Sequence, residues 1–183
     1  MSDEELELPG CPEPIAEFVR RAVAAVRASV GIGLEFDSET LPLLDHYLRE
    51  LPGKSDETAV LISAMAGAYF GETVRQCHGG SWKSDGEDPA GWRIVLPAGL
   101  SFSPVRMALA AILGDESGEG SPDFQAPPLL MAKLEEAMER MGTVSAHEYY
   151  TLSCRYDTLE HLQEVMLAVA ATLQEQAKSL TKN

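Results

Sequence analysis

The stretch that most constrains this chain runs from Ser55 to Leu96. Ala59 to Glu72 is apolar and rich in small residues, and it leads into His78-Gly79-Gly80-Ser81-Trp82 and then Trp92-Arg93-Ile94-Val95-Leu96. Gly67 and Gly71, four residues apart, make a smooth patch that lets another backbone approach closely, which offsets the roughly 1 kcal/mol each glycine costs a helix relative to alanine. The run is shorter than the roughly 20 apolar residues of a membrane span and is closely flanked by charge, so core packing is expected. Gly79-Gly80 supplies the left-handed freedom that a helix-to-strand turn needs. The whole reads as a central helix handing over to a hairpin begun by Trp82 and Trp92.

The rest follows by periodicity. Residues 1–10 carry Asp3, Glu4, Glu5 and Glu7 with no basic residue, and they read as a mobile acidic leader to a single domain over 11–183. From Pro14, Ile15, Phe18, Val19, Ala22, Val23, Val26 and Val30 recur at helical spacing up to Gly31. Asp37-Ser38 is a cap region for a second helix with Pro42 in its first turn and Pro52-Gly53 beyond it, and Ser55 caps the central helix. Trp92, Ile94 and Leu96 alternate as a half-buried strand, and Leu100-Ser101-Phe102 adds a third short strand after Pro97-Ala98-Gly99.

Ser103-Pro104 opens a helix that Gly114 closes, and residues 115–123 are acidic, Gly/Ser-rich and predicted to be a flexible loop. After Pro127-Pro128, Leu130, Leu134, Met138 and Met141 form an apolar stripe. Ser145 to Glu148 and Asp157 to Glu160 both match a capping box, which predicts a short helix over His147 to Leu152 and a long one over Thr158 to Leu180. The expected fold is α+β, with about five or six helices packed around a small antiparallel hairpin or three-stranded sheet.

Charge bounds function. With 29 acidic against 14 basic side chains the formal charge is -15, which repels phosphate backbones and anionic lipid alike, so no nucleic-acid or membrane partner is expected. A basic protein partner would be attracted. The three cysteines, Cys11, Cys77 and Cys154, form no CxxC and no dense framework, and the acidic start lacks the basic and apolar regions of a secretory signal. A reducing cytoplasm is the expected compartment, with no disulfide, metal or cofactor. The pattern carries no indication of oligomeric state.

Chemistry is sparse. Glu72, near the end of an apolar helix beside Tyr69 and Gly71, needs a partner if buried, and Arg93 on the hairpin is the candidate. Glu72, His78, Cys154 and His161 are the residues a small hydrolase or metal-dependent enzyme would use, but none has recognised ligand or triad spacing. No catalytic residue is assigned. The positions singled out, as structural or functional, are Gly67, Tyr69, Gly71, Glu72, Gly79, Gly80, Trp82, Trp92 and Arg93.

Gly67-Ala68-Tyr69-Phe70-Gly71-Glu72, followed by Gly79-Gly80-Ser81-Trp82 and Trp92-Arg93, resembles the GAYxGE and GGxW signature of uncharacterised bacterial proteins grouped as domains of unknown function. The resemblance implies a bacterial origin and no known reaction, since such a motif marks a family rather than an activity. The reading it leaves is a non-enzymatic, protein-binding module, an adaptor or an immunity-type inhibitor of a basic partner; the enzyme is the alternative.

Overall fold

The computed structural model describes residues 6–51, 56–84, 86, 88–114, 123–142 and 144–180. Helix α1 (Glu13–Val30) buries Ile15, Ala16, Val19, Ala22 and Val26, and it stops at Gly31, whose φ of 80° turns the chain left-handed. Before α2 (Leu41–Arg49), the Asp37 carboxylate accepts hydrogen bonds from the N–H of Thr40 at 2.9 Å and from its hydroxyl at 3.0 Å. The expected cap for α3 (Asp56–His78), Ser55, lies outside the described residues.

Helix α3 is the axis of the molecule. From Ser63 to Val74 only Met65 is not fully buried, as a helix apolar on all sides requires. It packs mainly on α4 (Pro104–Leu113) and α1. A Cβ at Gly67 would lie 2.5 Å from Val105 Cα and 2.7 Å from its backbone N, so the missing side chain is what admits α4. The helix runs on to His78; there the Arg75 carbonyl accepts from the N–H of Gly79 at 2.9 Å and of Gly80 at 3.1 Å, with Gly79 at φ 73°.

The sheet is an antiparallel meander of β1 (Ser81–Lys83), β2 (Arg93–Val95) and β3 (Ser101–Phe102). Trp82 lies opposite Ile94, which lies opposite Phe102, so all three project from one face. That face meets α3: the rings of Phe70 and Phe102 sit 6.4 Å apart, and Trp82 covers Gly71. Between β1 and β2 a short 3-10 turn, Pro89–Gly91, is fixed by Asp88, whose carboxylate accepts from the Ala90 N–H at 3.0 Å. Ser103 caps α4 by accepting from the Arg106 N–H, and Gly114 ends it.

Helices α5 (Pro128–Arg140), α6 (Ala146–Tyr149) and α7 (Leu152–Leu180) complete an α+β fold of seven α-helices among the described residues around the three-stranded sheet. At α6 the capping box forms: Ser145 Oγ accepts from the Glu148 N–H at 3.3 Å, while Glu148 accepts from the Ser145 N–H at 3.2 Å. Asp157 to Glu160 does not start a helix. Helix α7 begins at Leu152, where Thr151 Oγ1 accepts from the Cys154 N–H at 3.2 Å as a local cap and Asp45, on α2, adds a second from across the fold, accepting from the Leu152 N–H at 2.7 Å, the Ser153 N–H at 3.1 Å and the Ser153 hydroxyl at 2.6 Å.

The leader also differs from expectation. Leu8 is buried in the core, the Leu6 carbonyl accepts from Arg20 at 3.3 Å, and the Pro9 carbonyl accepts from Arg75 at 2.8 Å, so residues 6–10 are strapped to α1 and α3. Residues 1–5 lie outside the described residues, as do 115–122 of the predicted acidic loop. Asp123, at the end of that loop, is held by Arg93. No described helix is long and apolar enough to cross a membrane.

Candidate functional site

Glu72 is fully buried, and both its oxygens are taken. Arg75 donates from Nε at 2.8 Å and from its terminal nitrogen at 2.6 Å, Gln76 donates at 2.8 Å, and the Trp82 indole N–H donates at 2.9 Å. Burial alone would push the carboxyl up; the donors outweigh it and hold Glu72 below the ordinary carboxylate range. A carboxylate so occupied has no lone pair left for a substrate proton, and it ties the hairpin to the central helix.

Arg93 is therefore not the partner of Glu72. It lies on the other face of β2, where its guanidinium donates to the Asp123 carboxylate at 2.5 Å, to the Asp123 carbonyl at 2.6 Å and to Ser101 Oγ at 3.0 and 3.2 Å. Ser101 and Gln125 exchange backbone hydrogen bonds beside it, at 2.7 and 2.9 Å. The pair ties Asp123 to the sheet.

The remaining sequence candidates are architectural. Tyr69 donates its hydroxyl to the Glu35 carbonyl at 2.7 Å and packs on Phe36, holding the segment before α2. Trp92 is 1% exposed and meets Phe18 edge-on at 5.3 Å; its indole N–H has no acceptor among the described residues. Gly80 is needed where a Cβ would come within 3.0 Å of the Val95 carbonyl. Gly67 and Gly71 both face the start of α4 at Pro104, but the backbone of Val105 covers the first and the Trp82 ring the second.

The four residues of the enzymatic alternative keep separate company. Glu72 is enclosed as described, His78 stacks on Tyr156 at 5.3 Å, Cys154 lies in a cleft with Met138 and Met141, and His161 lines the groove between α5 and α7. Neither half-buried thiol is activated. Burial first, and then the nearby Glu72, pushes Cys11 up to about 12, and burial raises Cys154 as well, with Arg155 partly opposing it. The three cysteines are free thiols, and no cluster of three or more His, Cys, Asp or Glu among the described residues could hold a metal.

Sequence reasoning missed a cleft of about 190 Å³ between α5 and the start of α7, lined by Phe124, Met138, Met141, Val144, Tyr149 and Arg155. Arg155 is buried there with its guanidinium 4.1 Å from the Tyr149 ring centroid. Met138, Val144 and Tyr149 are exposed around it. Placing the start of the last helix at Thr158 left Arg155 off its buried face; the methionines of α5 were the available signal. The chain matches no protein-family model, no curated protein and no solved structure.

Proposed function

We propose that this is a non-enzymatic bacterial protein-binding module, an adaptor or immunity-type inhibitor that receives a basic partner on the α5–α7 cleft. One observation carries the reading: a largely apolar cleft with Met138, Val144 and Tyr149 exposed around it and the exposed carboxylates Glu148 and Asp157 near enough to act on Cys154 in its lining. With the Arg155 guanidinium turned onto the Tyr149 ring, the apolar surface and the outer carboxylates fit an amphipathic basic segment, burial supplying affinity and charge supplying attraction. Methionine at the floor adapts to the shape of its occupant.

A photoreactive residue in place of Met138 tests this in cells, with Ile32, exposed in the segment after α1, as the control position. The expected result is cross-linking at 138 but not at 32 to a basic protein, lost in Tyr149→Asp and weakened by salt. Equal cross-linking at both positions, or capture unchanged by Tyr149→Asp, overturns the assignment.

A further inference from the structure

Helix α7 outruns the domain it belongs to. Leu159, Leu162 and Met166 are buried, Val169 is half-buried, and every described side chain from Ala171 onward is exposed, Leu173 included. The apolar spacing does not stop with the core: Leu159, Leu162, Met166, Val169 and Leu173 step by three and four, the seam of a coiled coil. Leu167 is exposed beside that seam. A helix of this remaining length is marginal in water by itself, since isolated helices below about 12–15 residues gain too little from their own hydrogen bonds.

Charge selects the occupant. Between Leu167 and Leu180 the only charged residues are Glu175 and Lys178, one of each sign, in a chain of net charge -15. A basic partner gains nothing from this neutral arm, whereas two copies of the chain, which repel over most of their surface, can meet here without that cost. At the root of the arm a groove of about 580 Å³ between α5 and α7 has Val165 and Val169 on its floor and Lys133, Glu136, Arg140 and His161 on its rim. A rim of mixed sign suits a helix of mixed sign.

We propose that the distal half of α7 is a self-association arm: two copies pair antiparallel about Val169, each arm lying in the α5–α7 groove of the other. Antiparallel register about Val169 sets Leu173 of each copy abreast of Val165 of the other and Lys178 abreast of Glu160, while Glu175 comes to the end of the groove that Arg140 and His161 line. Parallel register would align Glu175 with Glu175 and Lys178 with Lys178 and leave both grooves empty. The contact is isologous, so it closes as a two-fold dimer.

Sedimentation equilibrium over a concentration series reads this directly. The wild-type mass should rise from 19.8 kDa toward twice that value, and more readily as salt screens the net charge. Leu167→Glu/Leu173→Glu should hold the single-chain mass, with the melting temperature of the wild type at dilutions where both are single chains, because both residues are exposed. It should still capture the partner of the cleft, so failure of either proposal leaves the other readable. A wild-type chain that stays at one mass throughout, or a variant that associates like the wild type, overturns the arm. For register, Val169→Cys in a Cys77→Ser background should oxidise to a covalent dimer while Gln176→Cys should not; equal cross-linking of Gln176→Cys overturns the antiparallel arrangement.

Discussion

The two ends of the molecule handle polar and apolar groups in opposite ways. Around Glu72, every oxygen of a buried carboxylate has a donor, a tryptophan closes over a glycine, and α4 lies against α3 at backbone distance. Along α5 and α7, methionine, leucine and tyrosine stand in solvent beside open clefts. A region whose groups are all engaged specifies a shape; one that leaves apolar surface uncovered is available to something else. Changes at the first should register as stability, and changes at the second as association.

The largest effect is expected at Trp92, where truncation to alanine opens a cavity beside Phe18 and should cost about 3 to 5 kcal/mol in denaturant unfolding. Next comes Glu72→Gln, at about 1.5 to 3 kcal/mol, the usual range for a hydrogen bond to a charged group. A thermodynamic cycle with Arg75→Met should show coupling, whereas the same cycle with Arg93→Met should be additive within about 0.5 kcal/mol. Because Glu72 titrates lower in the folded chain than in the unfolded one, its contribution is present above the unfolded carboxyl value near about 4.3 and is lost as pH falls through the folded value. The urea midpoint should therefore drop on acidification in the wild type and drop less steeply in Glu72→Gln.

Removing residues 1–9 takes Leu8 from the core and the Pro9 carbonyl from Arg75, and a loss of about 1.5 to 3 kcal/mol is expected from the leucine alone. Gly71→Ala should cost about 1 to 3 kcal/mol, despite alanine's better helix propensity, because the new Cβ meets the Trp82 ring 2.9 Å away at Cζ2 and Pro104 Cγ at 3.0 Å. At the other end, Leu173→Glu should change the stability of the dilute chain by less than about 0.5 kcal/mol. A loss above about 1 kcal/mol there would erase the contrast between the two regions.

Local chemistry was legible in the sequence and remote chemistry was not. Helix α4 was readable at both ends because Ser103, Pro104 and Gly114 act on their immediate neighbours. So were the three strands, whose alternation and turns lie within a few residues of one another. The same alternation already placed Arg93 opposite to Trp92 and Ile94, and hence away from the core face where Glu72 sits; the true partners, Arg75 and Gln76, lie one turn along the same helix at the spacing that brings side chains together. The start of α7 was only half legible: Thr151, its local cap, lay in view beside Leu152, while Asp45 comes from another helix. The burial of Leu8 was hidden by the acidic residues around it.

The carboxylate of Asp45 joins residues 107 apart in sequence when it caps Leu152. Thr151 caps the same turn locally, accepting from the Cys154 N–H at 3.2 Å, whereas the Asp45 contact forms only when a loop of that length closes, at a cost in entropy that a local cap does not carry. The order of assembly is thereby constrained: the central helix and its hairpin can organise from near neighbours, while the α5–α7 end is completed only once both halves of the chain have met. The surface offered to other molecules then rests on a contact between the two halves of the chain, not on near neighbours alone.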